Sequence, residues 1–292
     1  MTLFELIKIT LDELYRQGLE EHGNELDAEV TSRMKYLTDN YRALTSADRD
    51  PVNYRDPATR VAYVHSYVAA HADYLVQILE KFHAKYPDMV FGYESVRLSC
   101  VGGGPGSDIL AVLKFLSENE TKVEKLTCYL LDGEQAWADT WTELDDSISG
   151  DINLKTNFQA LDVTDPDSWK FQKNFKHADI FTFSYFVSEV FNLGKDGVVD
   201  DFFVSLMEDA KPGALFIFVD NAHSDFYNYF DKLWKSAGLK CLMQESDINL
   251  TPRYSEQASA IAEFTQRFGR NPKLRGNITY RILRKPENDG SV

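Results

Sequence analysis

A glycine-rich loop follows a short apolar strand about one third of the way along the chain. Residues 101–106 read VGGGPG, between a predicted strand and a predicted helix. Glycines let a ligand approach backbone N–H groups closely, and the start of the next helix carries a partial positive charge. We therefore predict that this loop binds a ligand. The glycines concerned are Gly102, Gly103, Gly104 and Gly106.

An acidic residue, Asp132, ends the next predicted strand. A carboxylate at the tip of the second strand of an α/β sheet can accept hydrogen bonds from both hydroxyls of a ribose. The distance in sequence from Gly106 to Asp132 is what one helix and one strand need. The loop lacks the GK[ST] ending of a P-loop, and Pro105 with Ser107 departs from the G-x-G-x-x-G pattern of dinucleotide sites. The pattern is therefore compatible with a ligand that contains a ribose, and it departs from both the P-loop and the dinucleotide pattern.

The loop is the first connection in a regular alternation of strands and helices. Such alternation predicts crossover connections, a mainly parallel sheet and the α/β fold class. The predicted strands are Arg97–Val101, Leu126–Asp132, Thr156–Val163, Asp179–Phe186, Ala214–Asn221, Leu239–Gln244 and Ile278–Arg284. The later helices are predicted at Glu134–Leu144, Asp165–Phe171, Val198–Ala210 and Ser224–Ala237.

The rest of the chain divides around this alternation. Residues 1–90 show apolar side chains at helical spacing, with Asp56 and Pro57 typical of a helix start, and predict a helical N-terminal cap. The α/β domain is predicted at 91–285, followed by a tail at 286–292. Within it, 251–275 form an insertion with five basic and two acidic residues, a local charge of +3. This insertion can be a lid, a docking surface for an acidic group or a solvated charged helix.

Composition excludes several classes of protein. The 292 residues are 43% hydrophobic and 26% charged, which is typical of a globular protein. Apolar runs are too short to span a membrane, and Glu5 and Asp12 interrupt any signal peptide. Three cysteines without a CxxC pair argue against a disulfide framework or a metal site. We expect a reduced cytoplasmic protein, monomer or homodimer, with a nuclear location left open. The net charge of −15 argues against nucleic acid as the main partner.

The glycine loop and Asp132 together resemble the class I S-adenosylmethionine-dependent methyltransferases, over about residues 90–285. The resemblance implies a seven-stranded, mostly parallel Rossmann-like sheet whose last strand is antiparallel. It implies S-adenosyl-L-methionine as cofactor and S-adenosyl-L-homocysteine as product. Cys100 departs from the family, which often has an acidic residue two places before the first loop glycine. Asp108 is a candidate to replace that residue.

The resemblance also implies roles for single residues. The glycine loop would pass beneath the methionine part of the cofactor, and Asp132 would bind its ribose. Asp162, with Val163 after it, matches the residue that hydrogen-bonds the adenine amino group, although residues 162–166 also fit a turn before a helix. Ser184 and Tyr185 match the segment beside the reactive methyl.

Polar aromatic residues form a stripe on the helix that Pro57 begins. Tyr63, Tyr67, His71 and Tyr74 fall on one face, which fits either core packing or the lining of a cleft. Tyr63 and Tyr67 are the members we select for cofactor contact.

Three residues are candidates for a general base. Our order is His223, Tyr185 and Glu189, because the carboxyl ends of parallel strands face the ligand crevice. His223 fits almost equally well as a surface residue that begins the next helix.

The sequence thus predicts a methyltransferase that acts on a small molecule or a protein side chain. One alternative is a cofactor-binding protein of this fold without catalysis, supported by Cys100. An RNA methyltransferase is another, supported by the basic insertion. An aminopropyl transferase lacks support because the fourth strand carries no paired acidic residues. A nucleotide-dependent oxidoreductase is opposed by Pro105.

Overall fold

A computed structural model describes residues 2–46, 48–145, 148, 151–172, 174–193, 197–253 and 255–287. The α-helices of this part are α1 (Leu3–His22), α2 (Leu26–Arg42), α3 (Pro57–Tyr63), α4 (Ala69–Lys85), α5 (Ser107–Glu118), α6 (Ala136–Asp145), α7 (Pro166–Trp169), α8 (Val187–Val190), α9 (Val198–Asp209), α10 (Ser224–Ser236) and α11 (Ala262–Phe268). The strands are β1 (Ser95–Val101), β2 (Lys125–Asp132), β3 (Asn153–Ala160), β4 (Ile180–Ser184), β5 (Leu215–Asn221), β6 (Lys240–Leu250) and β7 (Gly276–Arg284). A π-helical segment, Val64–Val68, joins α3 to α4.

The seven strands form one sheet in the order β3-β2-β1-β4-β5-β7-β6. The first five strands are parallel, whereas β7 runs antiparallel to both β5 and β6. This arrangement confirms the predicted seven-stranded, mostly parallel sheet with an antiparallel last strand. Because β1 and β4 lie next to each other in the middle, the glycine loop after β1 and the end of β4 meet at one edge of the sheet.

Apolar side chains of the central strands alternate between two packed layers. On β4, Ile180 packs with the N-terminal helices, while Phe181 and Phe183 pack on the opposite face with α9 and α10. The α1–α4 region is helical, as predicted, and α3 begins where Asp56 accepts a hydrogen bond from the Ala58 N–H at 2.9 Å. None of the described helices combines the length and the apolar character that crossing a bilayer requires.

Element bounds differ from the prediction where alternation is weak. Strand β3 begins and ends three residues before the predicted Thr156–Val163. Its residues are mostly half-exposed and show little alternation of apolar and polar side chains. The apolar Leu161 and Val163, which were assigned to the strand, are buried beyond its end. Strand β6 continues to Leu250, past register shifts that interrupt its alternation. Helix α7 is a single turn rather than Asp165–Phe171. Residues 288–292 of the predicted tail lie outside the described residues.

The 251–275 segment packs against the N-terminal helices. The Arg253 N–H donates to the buried Asp73 carboxylate of α4 at 3.1 Å, and the Arg253 guanidinium pairs with Glu80 at 2.6 Å. Further along, Phe264 and Phe268 of α11 pack on the Tyr15 ring of α1. The segment therefore covers the outer face of the N-terminal helices, and its end reaches the edge of the sheet that carries the glycine loop.

We expect the N-terminal helices and the sheet to unfold together, because one cluster of buried apolar side chains includes Leu11 of α1, Leu79 of α4 and Leu98 of β1. Leu11→Ala should lower the free energy of unfolding by roughly 2–5 kcal/mol. Urea unfolding checks this by circular dichroism and by the fluorescence of the four tryptophans, all beyond residue 130. Leu19→Ala, 42% exposed on the same helix, is the control and should have little effect. A fluorescence transition that Leu11→Ala leaves unmoved would contradict the expectation.

Candidate functional site

The glycine loop is held to the end of β2 by hydrogen bonds. The Gly104 N–H and the Glu134 N–H each donate to a different oxygen of the Asp132 carboxylate at 2.9 Å, and the Gly103 N–H donates to the Leu131 carbonyl at 3.1 Å. Burial raises the pKa of Asp132 to about 6, against the opposing effect of these N–H groups. The loop and the acidic strand end therefore form one unit, as their spacing in the sequence predicts.

Packing explains two of the loop glycines. Gly102 and Gly106 have φ values of +65° and +84°, and a Cβ atom on them would lie 2.0 Å from the Phe186 ring and 2.2 Å from the Trp141 ring. Both positions exclude larger residues through backbone conformation and close contact. Gly103 packs on Leu130, away from the cleft.

A cleft of about 100 Å³ lies between the glycine loop, Asp132 and the end of β4; we call it the loop cleft. Aromatic side chains close it. Tyr54 and Tyr63 contact the Trp137 indole of α6, with ring centroids 5.1 and 5.7 Å away, and Phe186 lies beside Gly102. Typical small-molecule sites measure about 300–1,000 Å³. A nucleoside can enter only when some of these rings move aside.

A larger cavity of about 390 Å³ adjoins the loop cleft; we call it the cap cavity. Its walls come from α2, the end of α3, the π-helical segment, α4, the ends of β4 and β5, α8, and residues 270–273 before β7. Three side chains line both the loop cleft and the cap cavity: Tyr63, Tyr185 and Glu189. The two spaces therefore adjoin at these side chains.

Tyr185 occupies the centre of this arrangement in a left-handed backbone conformation, with φ +56°. Such a conformation costs about 1–3 kcal/mol in a residue with a side chain. The Tyr185 N–H donates to the Val219 carbonyl at 2.7 Å, and its ring stacks on His71 with centroids 3.7 Å apart. The Tyr185 hydroxyl, His71 Nε2 and the Ser184 hydroxyl are all buried without a hydrogen-bond partner among the described residues. Buried polar groups without such a partner are available to form hydrogen bonds with a ligand.

Glu189 is a partly buried carboxylic acid at the boundary of the two spaces. Burial raises its pKa to about 7, and the positive charge of Arg49 opposes that shift. The Tyr54 hydroxyl lies 3.4 Å from the Glu189 Oε1 atom and 2.6 Å from the Tyr41 hydroxyl. An acid with this pKa is about half ionised at neutral pH, which suits a group that exchanges protons.

Asp108 lies buried on α5, close to Cys100, Thr182 and Ser184. Burial raises its carboxyl pKa, while the neighbouring Ser184 and Thr182 hydroxyls lower it; they interact with the carboxyl without reaching hydrogen-bonding geometry. Asp108 does not line the loop cleft. A direct contact between Asp108 and the cofactor stays a prediction.

Several predicted site residues lie elsewhere. Asp162 is exposed, and its carboxylate accepts hydrogen bonds from the N–H and the hydroxyl of Thr164. It therefore forms a turn before a helix, which was the alternative to adenine binding. Its neighbour Leu161 lines the loop cleft. Val163 is buried in the core. His223 is half-exposed at the start of α10, where its Nδ1 atom accepts the Asp225 N–H at 3.3 Å. Of these described residues, neither Asp162 nor His223 lines either space.

Several lining residues were not selected from the sequence, and Trp137, Lys273 and Tyr54 are the ones that matter most for the site. Trp137 stands five positions after Asp132 as the second residue of α6, and nothing in the sequence around it indicates a place beside the cleft. Lys273 was one of five basic residues of the insertion, and nothing in the sequence distinguishes it from the others. Tyr54 precedes the Asp56 helix start, in a stretch without periodicity.

The side chains around the loop cleft fit an adenosyl cofactor in their chemistry. Each Asp132 oxygen accepts one N–H bond and keeps a lone pair for a ribose hydroxyl. The buried, unpartnered Ser184 and Tyr185 hydroxyls supply further hydrogen bonds at the end of β4.

We expect Glu189 to make stability depend on pH. Its pKa rises from 4.5 to about 7 on folding, so only the folded state keeps the proton between these values, and stability is lost as the pH rises across that window. Glu189→Gln should shrink the difference in unfolding free energy between pH 5 and 7.5 by roughly 1–3 kcal/mol, since solvent still reaches part of the side chain. Urea unfolding at both pH values measures it. The exposed Glu120→Gln is the control. Equal pH dependence in wild type and Glu189→Gln would refute the assignment.

No protein-family model and no curated protein sequence matches the chain significantly. Among solved structures, an O-methyltransferase family protein from Burkholderia thailandensis is similar, at 12% identity over 90% of this chain and 73% of that chain, with a TM-score of 0.47. The CurJ carbon methyltransferase is similar at 13% identity over 93% of this chain and 71% of that chain, with a TM-score of 0.47. The 16S rRNA methylase ArmA is similar at 11% identity over 84% of this chain and 97% of that chain, with a TM-score of 0.40.

Similarity this low carries no argument about activity or acceptor, and the fold follows from the strands themselves. Five parallel strands in the order β3-β2-β1-β4-β5 are extended by an antiparallel β7 and then β6. The glycine loop follows β1, and Asp132 ends β2. The chain has the Rossmann-like fold of the class I S-adenosylmethionine-dependent methyltransferases.

Proposed function

We propose that this protein transfers a methyl group from S-adenosylmethionine to a small molecule bound in the cap cavity. One observation carries the proposal: Tyr63, Tyr185 and Glu189 line both the loop cleft and the cap cavity. A molecule in the cap cavity therefore meets a cofactor in the loop cleft across a shared boundary, which the direct attack of an acceptor on a methyl group requires.

The cofactor, when bound, supplies a methyl group on a positively charged sulfur, which is a good leaving group. The chain contributes binding and orientation. Asp132 would bind the ribose, and the glycine loop would leave room for the cofactor beside the backbone. The Ser184 and Tyr185 hydroxyls would provide hydrogen-bond partners near the reacting groups. Closure by Tyr54, Tyr63 and Trp137 would exclude water from the site.

Glu189 is our candidate for the general base. An acceptor whose reacting group is a hydroxyl or an ammonium must lose a proton from that group. A carboxylate with a pKa of about 7 can take this proton at neutral pH. Burial raises the pKa of Tyr185 well above its ordinary value, so its phenol stays protonated and serves as a donor. His223 lines neither space, and we therefore rank it below Glu189.

The enclosed cap cavity favours a small acceptor over the other acceptors considered. A protein side chain or an RNA base must be extended into the site from a large partner. RNA binding also needs a basic surface to neutralise phosphates, and the net charge is −15. A cofactor-binding protein without catalysis remains the second candidate, and turnover separates it from an enzyme.

Calorimetry should detect S-adenosylmethionine and S-adenosylhomocysteine at micromolar affinity, about −8 kcal/mol. Asp132→Ala should weaken both at least tenfold, because it removes the ribose contact and frees the loop. Asp139→Ala, an exposed acid on the neighbouring helix, is the control. No binding, or binding of NAD instead, would overturn the proposed cofactor. Tight binding without methyl transfer to any screened acceptor would favour the non-catalytic protein.

The rate of methyl transfer should rise with pH through about 7, as Glu189 loses its proton. Glu189→Gln should lower kcat about 100-fold or more and remove this rise, since positioned bases contribute about 10²–10⁴-fold. Formation of S-adenosylhomocysteine with small phenols and amines as acceptors provides the assay. His223→Ala tests the competing base. A loss of activity in His223→Ala, with Glu189→Gln unaffected, would reverse the assignment.

A further inference from the structure

Basic side chains gather on the wall of the cap cavity, in a chain whose net charge is −15. Arg42 of α2 and Arg270 and Lys273 from the segment before β7 line it, with Glu189 as its one acidic lining residue among those described. This local balance is opposite to that of the whole protein. It indicates that the cavity receives a negatively charged molecule.

Lys273 is the most enclosed of these three residues. Its ammonium lies 5.7 Å from the centre of the Tyr67 ring and 5.9 Å from that of Tyr185. Among the described residues, no ion pair or hydrogen bond engages this ammonium. Burial lowers the pKa of Lys273, because removing the ammonium from water costs free energy that no carboxylate offsets.

The backbone holds Lys273 in this position. Its N–H donates to the Ser66 carbonyl of the π-helical segment at 2.8 Å, which ties residues 270–273 to the helix that also carries Tyr63 and Tyr67. Short π-helical segments occur often at functional sites. The backbone of Lys273 is thus fixed to the cavity wall, and the Tyr67 and Tyr185 rings flank its ammonium.

We infer that the acceptor carries a carboxylate, which Lys273 binds inside the cap cavity. The inference rests on the proposed function and names its substrate class. The one enclosed cation, Lys273, balances one negative charge on the ligand. His71 adds no positive charge, because burial and the charge of Lys273 hold the pKa of His71 well below its ordinary value. The aromatic walls from Tyr41, Tyr67 and Tyr185 suit a ring or a short apolar body. A small aromatic carboxylic acid with a hydroxyl or amino group meets both requirements.

Calorimetry without cofactor tests the inference, with 4-hydroxybenzoate as the charged probe and 4-hydroxybenzamide as its neutral counterpart. Wild type should bind the carboxylate at least tenfold more tightly than the amide. Lys273→Met should remove that preference, and Lys273→Arg should retain part of it. Lys235→Met is the matched control, because Lys235 also lies over an aromatic ring, 5.2 Å from that of Trp234, but on the surface. Circular dichroism verifies that each variant is folded.

The inference is overturned by equal binding of the two probes, by no carboxylate binding at millimolar concentration, or by an unchanged preference in Lys273→Met. Tighter binding of phenyl phosphate than of 4-hydroxybenzoate overturns the carboxylate assignment. Cofactor binding, measured separately, keeps the two proposals apart. If the carboxylate binds through Lys273 while S-adenosylmethionine does not bind, the proposed function fails and the anion site stands. The reverse result leaves the methyltransferase and removes its carboxylate substrate.

Discussion

The stacking of Tyr185 on His71 connects the helical N-terminal region to the carboxyl end of β4, with ring centroids 3.7 Å apart. Both the loop cleft and the cap cavity have the Tyr185 ring as part of their wall. The left-handed backbone of Tyr185 is unfavourable by itself, and the stack together with the bond to Val219 holds it. This contact, together with Tyr63 and Glu189, joins the cleft on the sheet to the cavity under the helices.

The charge around the site differs from what the sequence count suggests. Burial raises the pKa of Asp132 and Asp220 to about 6 and that of Glu189 to about 7, so these acids carry less negative charge near neutrality than exposed ones do. Among the described residues, Lys273 and Arg270 share the wall of the cap cavity with one acidic side chain, Glu189, which is about half ionised at pH 7. A protein of net charge −15 can in this way offer a site for an anion.

The sheet and the loop could be predicted from the sequence, because their signals are local. The run of glycines after a strand, Asp132 at the next strand end and the alternation of strands and helices are each visible within a few residues. The bounds of β3 could not be predicted, since an edge strand with half-exposed residues has no clear alternation. The roles of Tyr54, Trp137 and Lys273 could not be predicted either. Their positions in the site depend on helices and segments far away in the chain.

The site residues that depend on long-range packing are also those that line the cap cavity, where we propose that the acceptor binds. Sequence reasoning selected Tyr63 and Tyr67 from a helical stripe, and both line the cap cavity. It could not anticipate the π-helical segment that includes Tyr67, because a widened helical turn has no signature in residue types alone. The opposite wall comes from residues 270–273, some 200 positions further along the chain.

That separation has a consequence for how the protein is made. The Thr31 hydroxyl bonds to the Phe268 carbonyl across 237 residues, and Phe264 and Phe268 cover the ring of Tyr15. Synthesis at about 5–20 residues per second leaves the first helices without this cover for roughly 10–50 s. An apolar helical surface is thus exposed on the nascent chain until residues 264–268 have left the ribosome. Chaperone binding during translation would protect that surface, and the cap cavity can form only after residues 270–273 have been synthesised.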